Sequence, residues 1–233
     1  MKSTRGEYLS NIRKVAHILK TTYRDFPHFN RKNPLDELLF ILMSVMTREE
    51  SYRRVYRGFR QAFPKIWMLH AASFEDIART IERGGLVNRR SRIIKEIVES
   101  LVEKFGRPTL APLTGMTDME AEQFLMSLPG VGKKVARCVL MYSLDRAVFP
   151  VDTHCWRIAG RLGWVDWRSP QGGPTNEDMD RLQGYLPPAL RYSLHVNMVS
   201  LGRRTCVAPI PKCGECPLKN LCPKIGVKEN IQQ

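Results

Sequence analysis

No apolar run in these 233 residues is long enough to span a bilayer, and no internal repeat or low-complexity tract interrupts the chain. The first 20 residues carry charges throughout, so they do not read as a signal peptide. Strand-type alternation bounded by turn dipeptides is missing as well, which predicts an all-α protein. The spacing G-x-x-x-x-G-K-[ST] does not occur, and that removes the P-loop nucleotide enzymes. Acidic residues are in deficit: 23 stand against 37 lysines and arginines, for a formal net charge of +14. Such an excess points to a polyanionic partner. No basic amphipathic segment with a lipidation motif favours a membrane surface instead. The expectation is an intracellular, soluble, monomeric protein that faces nucleic acid.

Helical periodicity is what the chain has in quantity. Asn33-Pro34 followed by Asp36 and Glu37 reads as an N-cap, a first-turn proline and two acids favoured by the helix dipole. Leu35, Leu38, Leu39 and Leu42 then recur at i, i+3, i+4 and i+7, one buried stripe. Ser73 to Asp76 opens a second helix with a capping-box pattern. A third is expected from Arg90 to Phe105, with Ile93, Ile94, Ile97, Leu101 and Val102 on one side. Loops are expected at 107–115, at 168–174 and from Cys206 onward.

The segment 117–143 reads as a helix, a glycine hairpin and a helix. Thr117 and Glu120 form a capping box ahead of Ala121, Phe124, Leu125 and Leu128. Leu128-Pro129-Gly130-Val131-Gly132-Lys133-Lys134 follows, and then a helix with Val135, Cys138, Val139 and Tyr142 inward. Gly130 and Gly132 permit backbone angles that other residues resist, and they let a phosphate approach the main chain. The open N–H groups of the second helix then suit an anion. The same pattern also fits an ordinary αα-hairpin whose glycines only turn the chain. Lys133 reads as a solvated phosphate contact. Lys134 borders the buried stripe in the first helical turn, where burial and dipole both favour a neutral, nucleophilic amine. A second phosphate-binding lysine is the alternative there. Further on, Asp152 in Phe149-Pro150-Val151-Asp152-Thr153-His154 precedes a helix and fits an N-cap, a role compatible with a second one facing a cleft.

Six cysteines are present. Cys138 and Cys155 lie in apolar helical surroundings and read as buried thiols. Cys206, Cys213, Cys216 and Cys222 are spaced C-x6-C-x2-C-x5-C in a basic, proline-rich tail. Four thiolates in tight loops suit a [4Fe–4S] cluster or a zinc ion, and the spacing alone leaves both open.

Taken in order, LPGVGKK, VDTH and the four-cysteine loop resemble the endonuclease III family of helix-hairpin-helix DNA glycosylases, over roughly Asn33 to Cys222. The resemblance implies iron over zinc, hence a [4Fe–4S] cofactor. It implies two helical lobes: a six-helix barrel over 26–146, and a cluster lobe from 1–25 with 147–225, leaving 226–233 as a tail. Duplex DNA carrying a damaged base or abasic site would lie in a cleft between the lobes, with the target nucleotide rotated out. By position, Lys134 matches the family's lysine nucleophile and Asp152 its essential aspartate. Leu86, in Gly84-Gly85-Leu86-Val87-Asn88, matches the residue that wedges into the duplex, although a core leucine is equally compatible with the pattern. Gly130, Gly132, Lys133, Arg203, Arg204, Lys212 and Lys219 would hold phosphates. The activity implied is glycosylase plus abasic-site lyase in base excision repair, with oxidised pyrimidines as default substrates.

Two departures qualify the match. Where the family usually places a glutamine that fills the vacated base position, Val45 or Met46 stands here, and an apolar plug cannot hydrogen-bond the orphaned base. The stretch Phe149–Thr153 with Arg157 to Val165 also resembles the plant 5-methylcytosine glycosylases of the same superfamily. Mismatched thymine, alkylated bases and methylated cytosine therefore remain alternative substrates, with Trp164 and Trp167 read as packing residues. A non-catalytic iron–sulfur lesion binder and a zinc-ribbon regulator are the alternatives from other classes.

Overall fold

A computed structural model describes residues 5–27, 30–44, 49–82, 86–166 and 173–227. Among them every regular element is helical, as the missing strand alternation predicted. In chain order these are α1 (Arg5–Tyr23), α2 (Pro34–Ser44), α3 (Glu49–Ala62), α4 (Met68–Ala71), α5 (Phe74–Ile81) and α6 (Val87–Phe105). After a 3₁₀ turn at Ala111–Gly115 come α7 (Asp118–Ser127), α8 (Lys133–Leu144), α9 (Thr153–Arg161), α10 (Asn176–Tyr185) and α11 (Pro188–Arg204). No described helix is long and apolar enough to cross a membrane.

The chain divides into two compact units, Phe29–Arg146 and Met1–His28 with Ala147–Gln233. In the first, α2 packs on α8, α3 and α6, and α7 packs on α8. Asn33 caps α2 as expected, its Oδ1 accepting from the Leu35 and Asp36 amides at 3.0 Å. The leucine stripe is buried, but so are Phe40, Ile41 and Met43, so α2 is wrapped by apolar neighbours well beyond one face. Residues of this kind, each fully buried, contribute roughly 1.5–3 kcal/mol apiece to the core. α6 begins at Val87, one turn before the expected Arg90, and ends at Gly106 in the left-handed conformation.

In the second unit α11 packs on α1 and α9. Its core includes Ile12, Leu19, Phe149, Trp156, Ile158, Leu194 and Met198. Trp164 belongs to this core, its indole N–H donating to Asn11 Oδ1 at 3.0 Å. Packing is therefore the role of Trp164; Trp167 lies outside the described residues. Cys138 and Cys155 are buried thiols outside any disulfide, as read from the sequence.

Candidate functional site

Start with the hairpin. Thr117 and Glu120 form the reciprocal capping box of α7: the Thr117 hydroxyl accepts from the Glu120 amide at 3.3 Å, and Glu120 Oε2 accepts from the Thr117 amide at 2.8 Å. Five residues, Leu128 to Gly132, join α7 to α8. Gly130 sits at φ +71°, and a Cβ there would lie 2.8 Å from Ile93 Cδ1. Only glycine fits that position without strain or displacement. Gly132 differs from expectation. Its backbone is extended, at φ −94° and ψ 171°, which any residue adopts, and a Cβ would meet nothing within 4 Å. What Gly132 provides is exposure, because no side chain caps the start of α8. The first-turn amides of α8 are therefore left without an N-cap side chain, and the helix dipole makes that end attractive to an anion.

Lys133 requires a correction. It is not the solvated side chain expected: it is 11 % exposed, and its Nζ lies 3.4 Å from Glu122 Oε1. Arg137, one turn on and 2 % exposed, donates from Nε to Glu122 Oε2 at 2.6 Å. Glu122 of α7 thus clamps two cations of α8, a buried brace that keeps the hairpin closed. Nothing in the helical pattern singled out Glu122. Lys134, the next residue, is half-buried in the same first turn.

Asp152 is the N-cap of α9, its Oδ1 accepting from the Cys155 amide at 2.7 Å. The neighbouring His154 packs against Gly202 so closely that a Cβ on that glycine would lie 2.6 Å from His154 Cβ. Burial holds the His154 imidazole below the usual histidine range, while Asp152 pulls the other way. Arg157 Nη2 lies 2.9 Å from His154 Nδ1, which must then act as the acceptor.

The cysteine segment is tied to α9 by two arginines whose part the sequence reading missed. Arg157 Nε donates to the Cys206 carbonyl at 2.9 Å and Nη2 to the Gly202 carbonyl at 3.0 Å. Arg161 Nη1 donates to Cys206 Sγ at 3.1 Å and to the Val207 carbonyl at 3.0 Å. Their four-residue spacing on one helix face was the signal available. Cys206, Cys213, Cys216 and Cys222 all line one cavity, together with Arg161, Lys212 and Lys219. Among the described residues no three His, Cys, Asp or Glu side chains converge on a single point. Burial pushes Cys216 and Cys222 above the usual thiol range, with the neighbouring thiols adding to it in the same direction and backbone amide donors opposing it. The donor set is soft sulfur with a guanidinium at hand, which fits an iron–sulfur group chemically.

Arg203 and Arg204 are exposed in the last turn of α11, where cations also complement the dipole, and Lys212 and Lys219 are exposed beside the cavity. Leu86 is not a core leucine. It is 51 % exposed and adopts φ 49°, a left-handed conformation that leucine rarely takes, directly before α6. Val45, Met46, Gly84 and Gly85 lie outside the described residues.

Comparison with known proteins adds the following. Residues 41–182 match the family described as HhH-GPD superfamily base excision DNA repair protein. The chain is similar to endonuclease III of Thermotoga maritima, at 32 % identity over 209 residues that cover 89 % of this chain and 92 % of the relative. It is also similar to the DNA glycosylase/AP lyase ROS1 of Arabidopsis thaliana, at 31 % identity over 172 residues, 66 % of this chain but 12 % of that much longer protein. Among solved structures, a non-covalent endonuclease III–DNA complex superimposes with a TM-score of 0.79 at 24 % identity, over 96 % of this chain and 97 % of that one.

Proposed function

The chain belongs to the HhH-GPD superfamily of base excision DNA repair proteins, and within it we propose a bifunctional DNA glycosylase with abasic-site lyase activity. One observation carries the reading: α8 starts on an uncapped glycine, with a half-buried lysine, Lys134, in its first turn. An open helix start takes a backbone phosphate, and an amine beside it is placed for the sugar that the phosphate links.

In this reaction the Lys134 amine attacks C1′ of an everted nucleotide and the damaged base leaves with its bonding electron pair. The resulting amine loses a proton as the sugar ring opens, giving an iminium between Nζ and C1′. Loss of a proton from C2′ then expels the 3′ phosphate, which breaks the strand, and water hydrolyses the iminium to free the enzyme. Asp152 is assigned to assist deprotonation of the amine or to balance positive charge on the sugar. Its Oδ1 is held by the Cys155 amide, so the cap orients the carboxylate that does this work. Leu86, exposed and stiffly set ahead of α6, is the wedge assigned to the duplex.

Cys206, Cys213, Cys216 and Cys222 would hold a [4Fe–4S] cluster, with Arg161 favouring the thiolate of Cys206. When bound, the cluster supplies the covalent framework that gives the short tail its fixed shape. Arg203, Arg204, Lys212 and Lys219 are then available to phosphates.

Oxidised pyrimidines are the proposed substrates. Val45 or Met46, in place of a hydrogen-bonding residue, would give the opposing base no side-chain hydrogen bond, so a weak dependence on that base is proposed. The test is a panel of single-lesion duplexes, each against all four opposing bases. Strand cleavage at oxidised pyrimidines with less than about tenfold spread among opposing bases is expected, since one good hydrogen bond is worth about 1.4 kcal/mol or less here. Cleavage confined to mismatched thymine or methylated cytosine would move the enzyme to another branch of the superfamily.

A further inference from the structure

The chain that delivers Asp152 is not helical. Phe149 precedes a proline, which steers it to an extended conformation, and Phe149, Pro150 and Val151 are all buried. Buried main-chain groups with no strand to pair with must find side-chain partners. The Phe149 amide donates to Gln183 Oε1 of α10 at 2.6 Å. The Pro150 carbonyl lies 2.8 Å from Nδ1 of His195, on α11. A carbonyl oxygen can only accept, so the proton of this bond sits on Nδ1.

His195 is itself buried, and its ring stands edge-on to Phe149, with centroids 5.9 Å apart and planes at 88°. The same Nδ1 lies 3.6 Å from Cys155 Sγ. Cys155 is the residue whose amide holds Asp152 Oδ1 at 2.7 Å. His195 therefore touches the chain two residues before Asp152 and three residues after it. A thiol beside an imidazole has the chemistry of a nucleophile and its base. Both groups are buried, however, and the Nδ1 proton is directed to the Pro150 carbonyl, so this pair serves the geometry around it.

We infer that His195 is a positioning residue for Asp152, acting through the Pro150 carbonyl. The inference rests on the part given to Asp152 in the proposed glycosylase reaction. A carboxylate that moves a proton or faces a charged sugar works only at close range, and a misplacement of about 1 Å can cost about a hundredfold in rate. The cap bond to Cys155 fixes one carboxylate oxygen but leaves the approach of the chain to Asp152 undetermined. His195 determines that approach, because its donor pins the carbonyl two residues upstream.

The experiment uses the full chain and a lesion duplex that the unaltered protein cleaves, with base excision followed under single turnover. His195→Asn keeps an N–H where Nδ1 stands, whereas His195→Gln moves it out to the place of Nε2. The maximal rate of His195→Gln should fall at least tenfold, with its half-saturating concentration within twofold of the original, and His195→Asn should stay within threefold in both. A double variant joining His195→Gln to Asp152→Asn should be no slower than Asp152→Asn alone. Equal losses in the two His195 variants, or a further loss in the double variant, overturn the proposal and leave His195 a core contact. An unimpaired His195→Gln beside an inactive Asp152→Asn also overturns it, while the proposed function stands. Full activity of Asp152→Asn removes the assigned role of that carboxylate, and this inference with it. Nitrogen-15 spectra of the unaltered protein supply a check that needs no variant to fold: the His195 proton should sit on Nδ1, and a neutral ring protonated on Nε2 instead would contradict the inference.

Discussion

The two helix starts of one hairpin, α7 and α8, are built in opposite ways. α7 closes its own amides with Thr117 and Glu120, and α5 and α10 do the same with Ser73 and Asp76 and with Thr175 and Asp178. α8 opens on Gly132 and has no side-chain cap and no acid in its first turn. Instead the chain puts two lysines there, against the dipole, and recovers stability through Glu122 and the buried Arg137. Local stability has been given up at one helix start and secured around it. Such a conflict between local preference and fold is what the proposed phosphate contact at this helix start would leave.

That contrast can be broken directly. Gly132→Asp would give α8 the cap its neighbours have, in a backbone conformation that accepts aspartate and with room for the Cβ. Duplex DNA affinity should drop about a hundredfold by fluorescence anisotropy, while the melting temperature holds or rises. Undiminished affinity would mean that the bare helix start is not a phosphate contact. Gly130→Ala comes next in size. Its positive φ and the contact with Ile93 should together destabilise the chain by about 2 kcal/mol in denaturant titration, with DNA binding weakened as the turn shifts. A neutral Gly130→Ala would show that the turn tolerates a side chain after all. Thr117→Ala is the smallest and serves as the control. It removes a cap at the other end of the hairpin, so about 1 kcal/mol of stability should go, with affinity for DNA unchanged.

How much of this was written in the sequence depended on which force shaped each element. Capping boxes at Ser73 and Thr117, the Asn33 cap and the five-residue hairpin were legible because local hydrogen bonding sets them. α11 was not. Residues Ser193 to Gly202 are all buried, polar ones included, so the amphipathic period that betrays a surface helix is absent there. The need for glycine at 130 was legible, but Gly132 and Gly130 looked alike until the backbone angles separated them. Lys133 was misjudged as solvated because its partner Glu122 lies on the preceding helix, eleven residues back, and spacing alone does not announce that pairing. Arg157 and Arg161 passed as helix arginines, since their carbonyl and sulfur partners lie some 45 residues further along the chain. Leu86 illustrates the reverse case: an apolar residue after two glycines fits a core as well as a wedge, and its exposure removed the core reading.

The account rests on the Lys134 amine, and borohydride reduction tests it most directly. Incubated with abasic-site duplex and sodium borohydride, the unaltered protein should form a covalent adduct that survives denaturation. Lys134→Gln should form none while retaining duplex affinity within about threefold. Adduct formation by Lys134→Gln at the original rate would contradict the assignment and place the nucleophile elsewhere in the chain.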